Sequence, residues 1–271
     1  MKDELISLAS SESYYPYQIP SVLDGFFKSD ILYKEHKIYS LINYCFCIWE
    51  MKSHSFIENI VNNTIIPDAC IDLIIDFSNK EMYFSGFSKN TKNIELTGNI
   101  DFLGIRFKPG AFFLLFNTPA EKVMDNMVNF SDIDNISIDE IFKLDNKKQR
   151  LEKLENYILS KINNISFGDK NCIELIDKLY LNLDEEILNY LLPNKSDKTI
   201  YRYTKKIYGL TPKNLINVLR LHFTMNELFN KDKTLLEIAN DCGFYDQSHF
   251  IKEIKKYTSI SPLSLLDKYV K

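Results

Sequence analysis

The sequence predicts an α+β protein with a β-rich front half and an all-α back half, in which two helix-turn-helix units are joined by a long helix. Residues 37–110 contain short runs of β-branched and aromatic residues between turn residues, which is typical of strands. Residues 171–271 carry apolar residues at helical spacing, divided by Gly, Pro and Asn. Charge is also distributed unequally. Residues 1–192 hold 19 Lys and Arg against 29 Asp and Glu, whereas residues 193–271 hold 14 against 8.

Short apolar runs predict the strands of the front half. We expect strands over 37–52 (one or two strands), 71–77, 81–87, 94–98 and 100–110. Residues 71–77 (IDLIIDF) are almost continuously apolar, so this strand is expected to be buried on both faces. Turn residues at 78–80 predict a hairpin with the strand that follows. A loose arm over residues 1–18 precedes the strands.

Helical signals appear after Gly110. Thr118 as an N-cap, with Pro119 at the first helical position and Glu121 in the first turn, predicts the start of a helix. Residues 131–142 are expected to form a polar connection with a small helix.

An amphipathic helix is predicted over residues 146–162, because its leucines and isoleucines recur on one side. The next stretch, 162–170, has the composition of a linker. We therefore predict a domain boundary there, between a β-rich domain with terminal helices over residues 1–165 and a helical domain over residues 166–271.

Composition and motifs argue against several classes of protein. No run approaches the ~20 apolar residues of a membrane-spanning helix, and the N-terminus lacks the apolar core of a secretory signal. We therefore expect a cytoplasmic protein without membrane contact. Phosphate-binding loops, zinc-protease motifs and the G-x-S-x-G motif are absent, and the four histidines are scattered. No catalytic residue, metal site or cofactor is predicted, and we expect the protein not to be an enzyme.

Five cysteines are present, an odd number without regular spacing. Cys45 and Cys47 would share one face of a strand, where a thiol metal site or redox site is one interpretation. The favoured interpretation is that the cysteines are small buried apolar residues in a reducing compartment.

Residues 234–262 carry the most informative pattern. Thr234 and Glu237 form a capping box at the start of a short helix, and Gly243 ends that helix. Asp246 then caps a second helix that has an apolar stripe and a polar, basic outer face. This is a helix-turn-helix whose second helix suits a DNA major groove.

The same stretch resembles the second helix-turn-helix of AraC-type transcription regulators. That family follows the pattern G-[FY]-x-[DS]-Q-[SA]-x-F-x-[RK]-x-F-[RK]-x-x-x-G-x-[ST]-P. This sequence departs from it at Ile254, where the family has Phe, and at Ser259, where it has Gly. The matching positions are Gly243, Phe244, Asp246, Gln247, Ser248, Phe250, Lys252, Lys255, Ser261 and Pro262.

An earlier helix, capped by Ser196 and running through Tyr208, is similar to the recognition helix of the family's first helix-turn-helix. It departs from the family at Thr204, usually Phe, and the helix before it lacks the family's alanine. Contacts to bases and a grip on the DNA backbone both remain open for this unit. The matching positions are Arg202, Gly209 and Pro212.

A long helix over residues 211–230 is expected to join the two units. Twenty residues at ~1.5 Å rise span roughly 30 Å. Successive major-groove faces on one side of B-DNA are about 34 Å apart. One chain could therefore place two recognition helices one turn apart.

Residue chemistry selects the candidate DNA contacts. Lys and Arg neutralise phosphates, and Gln pairs with adenine edges. The candidates in the first unit are Ser196, Lys198, Thr199, Tyr201, Arg202 and Lys205. Those in the second unit are Gln247, Ser248, His249, Lys252 and Lys255. His249 could equally contact phosphate or lie on the helix surface.

The front half is similar to the N-terminal sensory domain of one AraC subgroup, which carries P-D-[GA]-C-x-[DE]-L-[IV] and F-G-[VI]-R-F-x-P-G. The matching positions are Pro67, Asp68, Cys70, Asp72, Leu73, Arg106, Phe107, Pro109 and Gly110. Asp72 and Arg106 are charges within apolar strands, and a buried charge needs a partner. They are expected to pair with each other, or to face a pocket with Trp49 and hold a small ligand.

Together these features predict a transcription regulator whose sensory domain controls two DNA-reading units. Its expected partners are double-stranded DNA and a small-molecule effector, with RNA polymerase as a further candidate, and the protein would act as a monomer or homodimer. Two alternatives concern the front half. It could be a protein-interaction or dimerisation module without a ligand, or a small-molecule-modifying enzyme domain fused to a DNA-binding domain.

Overall fold

Antiparallel strands build the front half and helices build the back half. The computed structural model describes residues 13–18, 31–165, 171–183, 188, 192–229 and 233–270. In these residues the strands are β1 Ile31–His36, β2 Cys45–Ser53, β3 Ile57–Ile65, β4 Ile71–Asp76, β5 Glu81–Gly86, β6 Lys92–Gly98, β7 Asp101–Phe107 and β8 Met127–Asn129. The α-helices are α1 Ala111–Phe116, α2 Lys147–Ile162, α3 Asn171–Asn182, α4 Asp197–Tyr208, α5 Pro212–Phe229, α6 Leu235–Asp241, α7 Gln247–Thr258 and α8 Pro262–Val270.

Six of these strands form one sheet in the order β1-β2-β7-β4-β5-β8, and β3 pairs with β6 in a separate ribbon. All pairings are antiparallel. Because side chains alternate along a strand, every second residue of β1, β2, β7 and β4 lies on the same face of the sheet. Arg106 lies opposite both Cys47 and Asp72, and Glu35 lies opposite Trp49, so Glu35, Asp72 and Arg106 lie on one face of the sheet.

Several predicted strands are confirmed. Residues 71–77 form β4, whose side chains are buried or nearly so on both faces, and 81–87 form β5, its hairpin partner. The predictions at 94–98 and 100–110 correspond to β6 and β7.

The strand prediction over 37–52 is only half right. Residues 39–41 form a 3-10 turn, and the strand begins at Cys45. Leu41 is fully buried while Tyr39 is 78% exposed, so this apolar run places one side chain in the core and does not alternate along a strand. Strands β1, β3 and β8 are not among the predicted strands. The ribbon strand β3 buries only Ile57 and Asn63, and its polar residues do not follow the apolar pattern of a strand.

The helix predicted to start at Thr118 is wrong in position. Helix α1 ends at Phe116, before Thr118, and only a 3-10 turn follows at 120–122. The Thr118 hydroxyl donates to the Phe116 carbonyl at 3.1 Å instead of capping a helix. Tertiary packing decides this outcome, because the ring of Phe116 lies 4.8 Å from that of Phe84 on the sheet.

The N-terminal arm is ordered against the molecule in its described part, residues 13–18, which corrects the prediction of a loose arm. Tyr14 and Tyr17 are each 3% exposed, and Gln18 is 1% exposed. The Gln18 side chain accepts from the Ile66 amide at 3.0 Å and donates to the Ile66 carbonyl at 2.9 Å. One glutamine thus supplies the backbone of residue 66 with both of its hydrogen-bond partners.

Apolar packing continues from the sheet into the back half. One buried cluster contains Leu73 and Phe107 of the sheet together with Ile200, Tyr208 and Leu215 of the helices. The predicted linker includes residues 166–170, which lie outside the described residues. The division into domains 1–165 and 166–271 stays a prediction.

Helix ends in the back half agree with the predicted signals. Thr234 and Glu237 form both hydrogen bonds of a capping box, and Ser196 accepts from the Thr199 amide. Gly209 and Gly243 both have positive φ just past a helix, where glycine carries little strain. The helix expected before the one capped by Ser196 covers residues 183–192, which lie mostly outside the described residues.

Ser259 occupies a left-handed position, with φ 63°, at the end of α7. A side chain in this conformation costs roughly 1 kcal/mol relative to glycine. We expect Ser259→Gly to raise the free energy of unfolding by about 1 kcal/mol in urea denaturation. Ser248→Gly is the matched control, because Ser248 is helical and its replacement should lower stability by roughly 0.5 kcal/mol. Equal effects of the two substitutions would contradict the assignment of strain to Ser259.

Candidate functional site

The second recognition helix, α7, presents a polar face to solvent. Asp246 caps it by accepting from the His249 amide at 2.7 Å. Phe250 and Ile254 are fully buried in the cluster that holds α7 against α5 and α6. The opposite face carries five exposed side chains predicted to contact DNA: Gln247, Ser248, His249, Lys252 and Lys255.

His249 is oriented by its neighbours although it is exposed. Its ring lies edge-to-face on Phe244, with 5.4 Å between centroids. The Tyr245 amide points at Nδ1 from 3.5 Å. Because an amide N–H can only donate, this contact favours the tautomer with its proton on Nε2, which suits His249 to donate to a phosphate oxygen.

The first recognition helix, α4, has a similar division of faces. Ile200 and Ile207 are buried. The predicted DNA contacts that are exposed are Ser196, Lys198, Thr199, Tyr201 and Arg202. Lys205 differs, because its side chain is only 23% exposed and its Nζ lies 3.8 Å from a Glu121 carboxylate oxygen in the front half.

The long helix predicted over 211–230 is α5, which we call the connector helix. Its 18 residues, at ~1.5 Å each, span roughly 27 Å. Most of its side chains are buried, including His222, Thr224 and Asn226. The connector is therefore packed on several sides, which makes it a stiff link between the two units.

Both recognition helices also touch the front half. Lys206 of α4 lies over the ring of Phe113, 4.8 Å from its centroid. A Cβ on Gly209 would lie 3.1 Å from the Phe87 ring, a tight contact, and the φ of 70° also favours glycine where α4 ends beside the sheet domain. Thr91 donates to the Tyr257 carbonyl of α7 at 2.7 Å. Both helix-turn-helix units are therefore in direct contact with the front half.

Charged residues of this sheet face and of the loop before β4 form, with Trp49, a buried cluster, which we call the Arg106 cluster: Glu35, Trp49, Asp68, Asp72 and Arg106. The predicted Asp72–Arg106 pair is present, with Nε and Nη2 each 3.3 Å from a carboxylate oxygen. Glu35 lies 3.7 Å from Arg106 and Asp68 lies 3.9 Å from it. One guanidinium is therefore surrounded by three carboxyl groups.

The position of Trp49 depends on a glycine, Gly104, in the neighbouring strand β7. Its indole nitrogen donates to Asp72 at 3.0 Å. A Cβ on Gly104 would lie 2.2 Å from the indole ring, so Gly104 is needed for Trp49 to lie flat across β7. All three predicted ligand-binding residues, Trp49, Asp72 and Arg106, are thus brought into contact.

Burial dominates the electrostatics of the Arg106 cluster. It raises the pKa of the Asp68 carboxyl to about 6 and also raises the pKa of Asp72, although Arg106 opposes both shifts. Burial alone would lower the pKa of Arg106, but Asp72 and the surrounding groups raise it well above its usual value. Arg106 therefore keeps its charge, while Asp68 binds a proton more readily than an exposed aspartate.

Comparison with known proteins decides the family. Residues 194–268 match the family described as "Helix-turn-helix domain", and residues 39–129 match "Domain of unknown function (DUF6597)". Both matches lie on the segments that carry the AraC patterns. The chain belongs to the AraC-type transcription regulators.

Curated relatives of this AraC-type regulator include HTH-type transcriptional activators RhaS. The protein from Mannheimia succiniciproducens is 28% identical over 183 residues, which cover 65% of this chain and 67% of the relative. RhaS from Pectobacterium carotovorum is 37% identical over 68 residues, covering 25% of this chain and 24% of the relative. RhaS from Salmonella arizonae is 37% identical over 65 residues, 24% of this chain and 23% of the relative. Of these relatives, the last two are matched over only about a quarter of their length.

Solved structures of ToxT from Vibrio cholerae overlap weakly with this regulator. ToxT from strain O395 aligns with a TM-score of 0.38 at 10% identity, over 89% of this chain and 99% of that one. Wild-type ToxT bound to unsaturated fatty acid aligns with a TM-score of 0.37 at 12% identity, over 88% and 95%. Overlap at this level does not identify a ligand for this regulator.

Sequence reasoning missed some residues of the site. Glu35 belongs to the Arg106 cluster but lies in β1, a strand the sequence did not reveal. Tyr245 is 92% exposed beside the second recognition helix, and its aromatic side chain in a turn was an available signal. His222 could not be predicted from the sequence, because its hydrogen-bond partners, Tyr17 and Pro67, lie far from it in the chain.

Other predictions concern metals, cysteines and membranes. All five cysteines are free and buried, and burial raises the pKa of Cys45 and Cys47, which favours the interpretation as small apolar residues. Within the described residues, no group of three or more His, Cys, Asp and Glu side chains is placed to hold a metal. The described helices include none with the length and apolar character needed to cross a bilayer.

Proposed function

We propose that this AraC-type regulator docks its two recognition helices in successive major grooves of one DNA duplex, under the control of a small molecule sensed by the front half. The observation that carries the DNA part is α7, which buries Phe250 and Ile254 and exposes Gln247, Lys252 and Lys255. A helix with this division offers amide and ammonium groups to a groove, while its apolar side holds it in place.

Each helix-turn-helix unit contributes residues that can contact DNA. Gln247 can pair with an adenine edge, and Lys252 and Lys255 neutralise phosphates. In the first unit, Arg202 and Lys198 are proposed to neutralise phosphates. Lys205 is expected to contribute less than its neighbours, because it already faces Glu121.

The length of the connector helix supports docking in successive grooves. Its span of roughly 27 Å, extended by the turns at its ends, is comparable to the ~34 Å between major-groove faces. A stiff link avoids the ordering cost that a flexible one would add to binding by both units. A monomer could then read an asymmetric site, and a homodimer two of them.

Substitutions on α7 separate phosphate contacts from base contacts. We expect Lys252→Ala to weaken binding to all duplexes and to reduce the slope of log K against log salt by about 0.9. Gln247→Ala should leave that slope unchanged and relax base preference at one position by about 1–3 kcal/mol. The measurement is selection from random duplexes, followed by binding titrations of selected and unselected duplexes at several salt concentrations.

The matched control for Lys252→Ala is Lys148→Ala, which removes the same charge from a lysine 83% exposed in the front half. It should not change affinity or slope. An equal loss in both variants would point to general electrostatics and contradict a groove contact by Lys252. Unchanged base preference in Gln247→Ala would contradict base readout by Gln247.

Sensing by the front half is supported by the Arg106 cluster. It combines an aromatic ring, a guanidinium and carboxyl groups on one buried sheet face, the mixture that orients small polar ligands. Trp49 is the single tryptophan of the chain, so its fluorescence reports on this cluster directly. We expect an effector to raise the melting temperature and change Trp49 emission together. Compounds that shift melting but leave Trp49 emission unchanged would argue for another site.

The alternative of an interaction module has a different signature. No compound would then affect melting or Trp49 emission, whereas sedimentation would show association that depends on residues 1–165. Activation of transcription, with RNA polymerase as the further partner, is proposed from the activator role in the names of the RhaS relatives. Because its proposed partner is DNA, we propose that the protein acts in the cytoplasm.

A further inference from the structure

His222 lies at the meeting point of three segments of the chain. It is fully buried in the connector helix. The Tyr17 amide of the N-terminal arm points at its Nδ1 from 3.1 Å. The Pro67 carbonyl, in the loop before β4, lies 2.7 Å from its Nε2. One side chain therefore joins the arm and the front half to the helix between the two DNA-reading units.

The partners of His222 determine its protonation state. An amide N–H can only donate, so Nδ1 must accept from Tyr17. A carbonyl can only accept, so Nε2 must carry the proton and donate to Pro67. Only the neutral imidazole can make both hydrogen bonds. A second proton on Nδ1 would face the Tyr17 N–H, and this bond would be lost while the bond to Pro67 remained.

Of the hydrogen bonds that the described residues make to His222, none comes from a carboxyl group that would stabilise a charged imidazole. Burial, assisted by the positive charge of Arg106, lowers the pKa of His222 to about 4, although the hydrogen bond to the Pro67 carbonyl opposes this shift. Asp68 follows Pro67, but it accepts from Gln18 and Cys70, and its own pKa is about 6, so it becomes neutral over the same pH range.

Remaining charged groups near His222 are engaged elsewhere. The Tyr14 ring lies edge-to-face on the imidazole, and its amide donates to Asp177 of α3. Tyr180 of α3 also packs edge-to-face against Tyr14. On the connector helix itself, Arg220 donates to the Leu183 carbonyl and Glu227 pairs with Lys233.

Tyr17 connects this arrangement to the second DNA-reading unit. Its hydroxyl donates to Asn226 at 2.9 Å, and its ring packs on Phe229 with 5.1 Å between centroids. It belongs to the same buried cluster as Phe250 of α7. The arm is therefore part of the buried apolar cluster against which the second recognition helix packs.

We propose that His222 is a positioning residue that holds the 13–18 arm against the connector helix only while its imidazole is neutral, so that a proton on Nδ1 releases the arm. Mild acid would then loosen one support of the second recognition helix. This regulation goes beyond the proposed sensing of a small molecule and does not depend on it. Only the consequence for DNA rests on the proposed function.

Hydrogen exchange of the full-length protein, followed by mass spectrometry on peptides covering the arm, tests the proposal. After correction for intrinsic exchange rates, we expect protection of the arm to fall at least about tenfold between pH 7.5 and pH 5. His222→Gln should keep protection at both pH values, because glutamine can accept at Oε1 and donate at Nε2 but does not titrate here. His222→Phe should lose protection at both pH values.

Three outcomes would overturn the proposal. Equal protection of the wild-type arm at both pH values would show that the proton does not release it. The same pH-dependent loss in His222→Gln would show that a titrating group other than His222 releases the arm. Full protection in His222→Phe would show that His222 does not hold the arm. The measurement uses free protein, so failure of the DNA-binding proposal would leave it unaffected.

Discussion

Arg106→Met is expected to lower the free energy of unfolding by about 3–5 kcal/mol, because it leaves buried carboxyl groups without their counter-charge. Asp72 loses both of its guanidinium contacts, and Glu35 and Asp68 lose their nearest cation. Methionine fills a similar volume, so the loss reports mainly on charge. Urea denaturation at neutral pH measures the effect, and the loss should shrink as the pH is lowered, because the uncompensated carboxyl groups then bind protons.

A control and a second substitution make this prediction specific. Arg202→Met removes the same charge from an exposed position on α4 and should change stability by no more than about 0.5 kcal/mol. Asp72→Asn combined with Arg106→Met should be less damaging than the sum of the two single substitutions, since the pair interacts directly. Strict additivity would contradict the Asp72–Arg106 contact.

His222→Gln is expected to change the pH dependence of stability. The pKa of His222 is about 4 in the folded protein and 6.5 ordinarily, so the unfolded chain binds the proton first as the pH falls. The stability from neutral His222 is complete above pH 6.5 and is lost as the pH falls toward 4. Glutamine has no such loss. From pH 7.5 to about pH 5, the variant should gain ~2 kcal/mol relative to wild type in urea denaturation.

The contribution of Asp68 to the free energy of unfolding varies with pH in the opposite direction. Its folded pKa of about 6 lies above its ordinary 3.8, so its contribution is present below pH 3.8 and is lost as the pH rises through 6. The two groups therefore offset one another in the wild-type protein between about pH 4 and 6. In His222→Gln the effect of Asp68 should emerge as a decline in stability with rising pH. A difference between variant and wild type that does not vary with pH would refute the assignment to His222.

The back half could be predicted closely because its signals are local. The capping box of Thr234 and Glu237, the cap by Ser196 and the glycines at 209 and 243 each act within a few residues of their position. The apolar stripe of α7 also repeats within one helix, so the sequence predicts which side faces outward. The departure at Ser259 was visible in the sequence, but its strained φ required the structure.

The front half was less accessible to sequence reasoning because its strands depend on distant partners. The ribbon strand β3 buries only two of its nine residues, Ile57 and Asn63. The helix predicted to start at Thr118 is absent, and α1 packs on Phe84 instead. The Asp72–Arg106 pair could be inferred, since two buried charges of opposite sign need each other. The addition of Glu35 could not, because only the pairing of β1 with β2 brings it there.

The sequence by itself determined the order of β-rich and helical halves, the two helix-turn-helix units, their outward-facing cations and the family. These properties depend on patterns that repeat every three to five residues and on local charge, because each residue involved acts on its near neighbours. Only the tertiary structure decided that Lys205 faces Glu121, that the arm is buried and that His222 joins three segments. Such contacts link residues far apart in the chain, and they form only when apolar burial brings the two halves together.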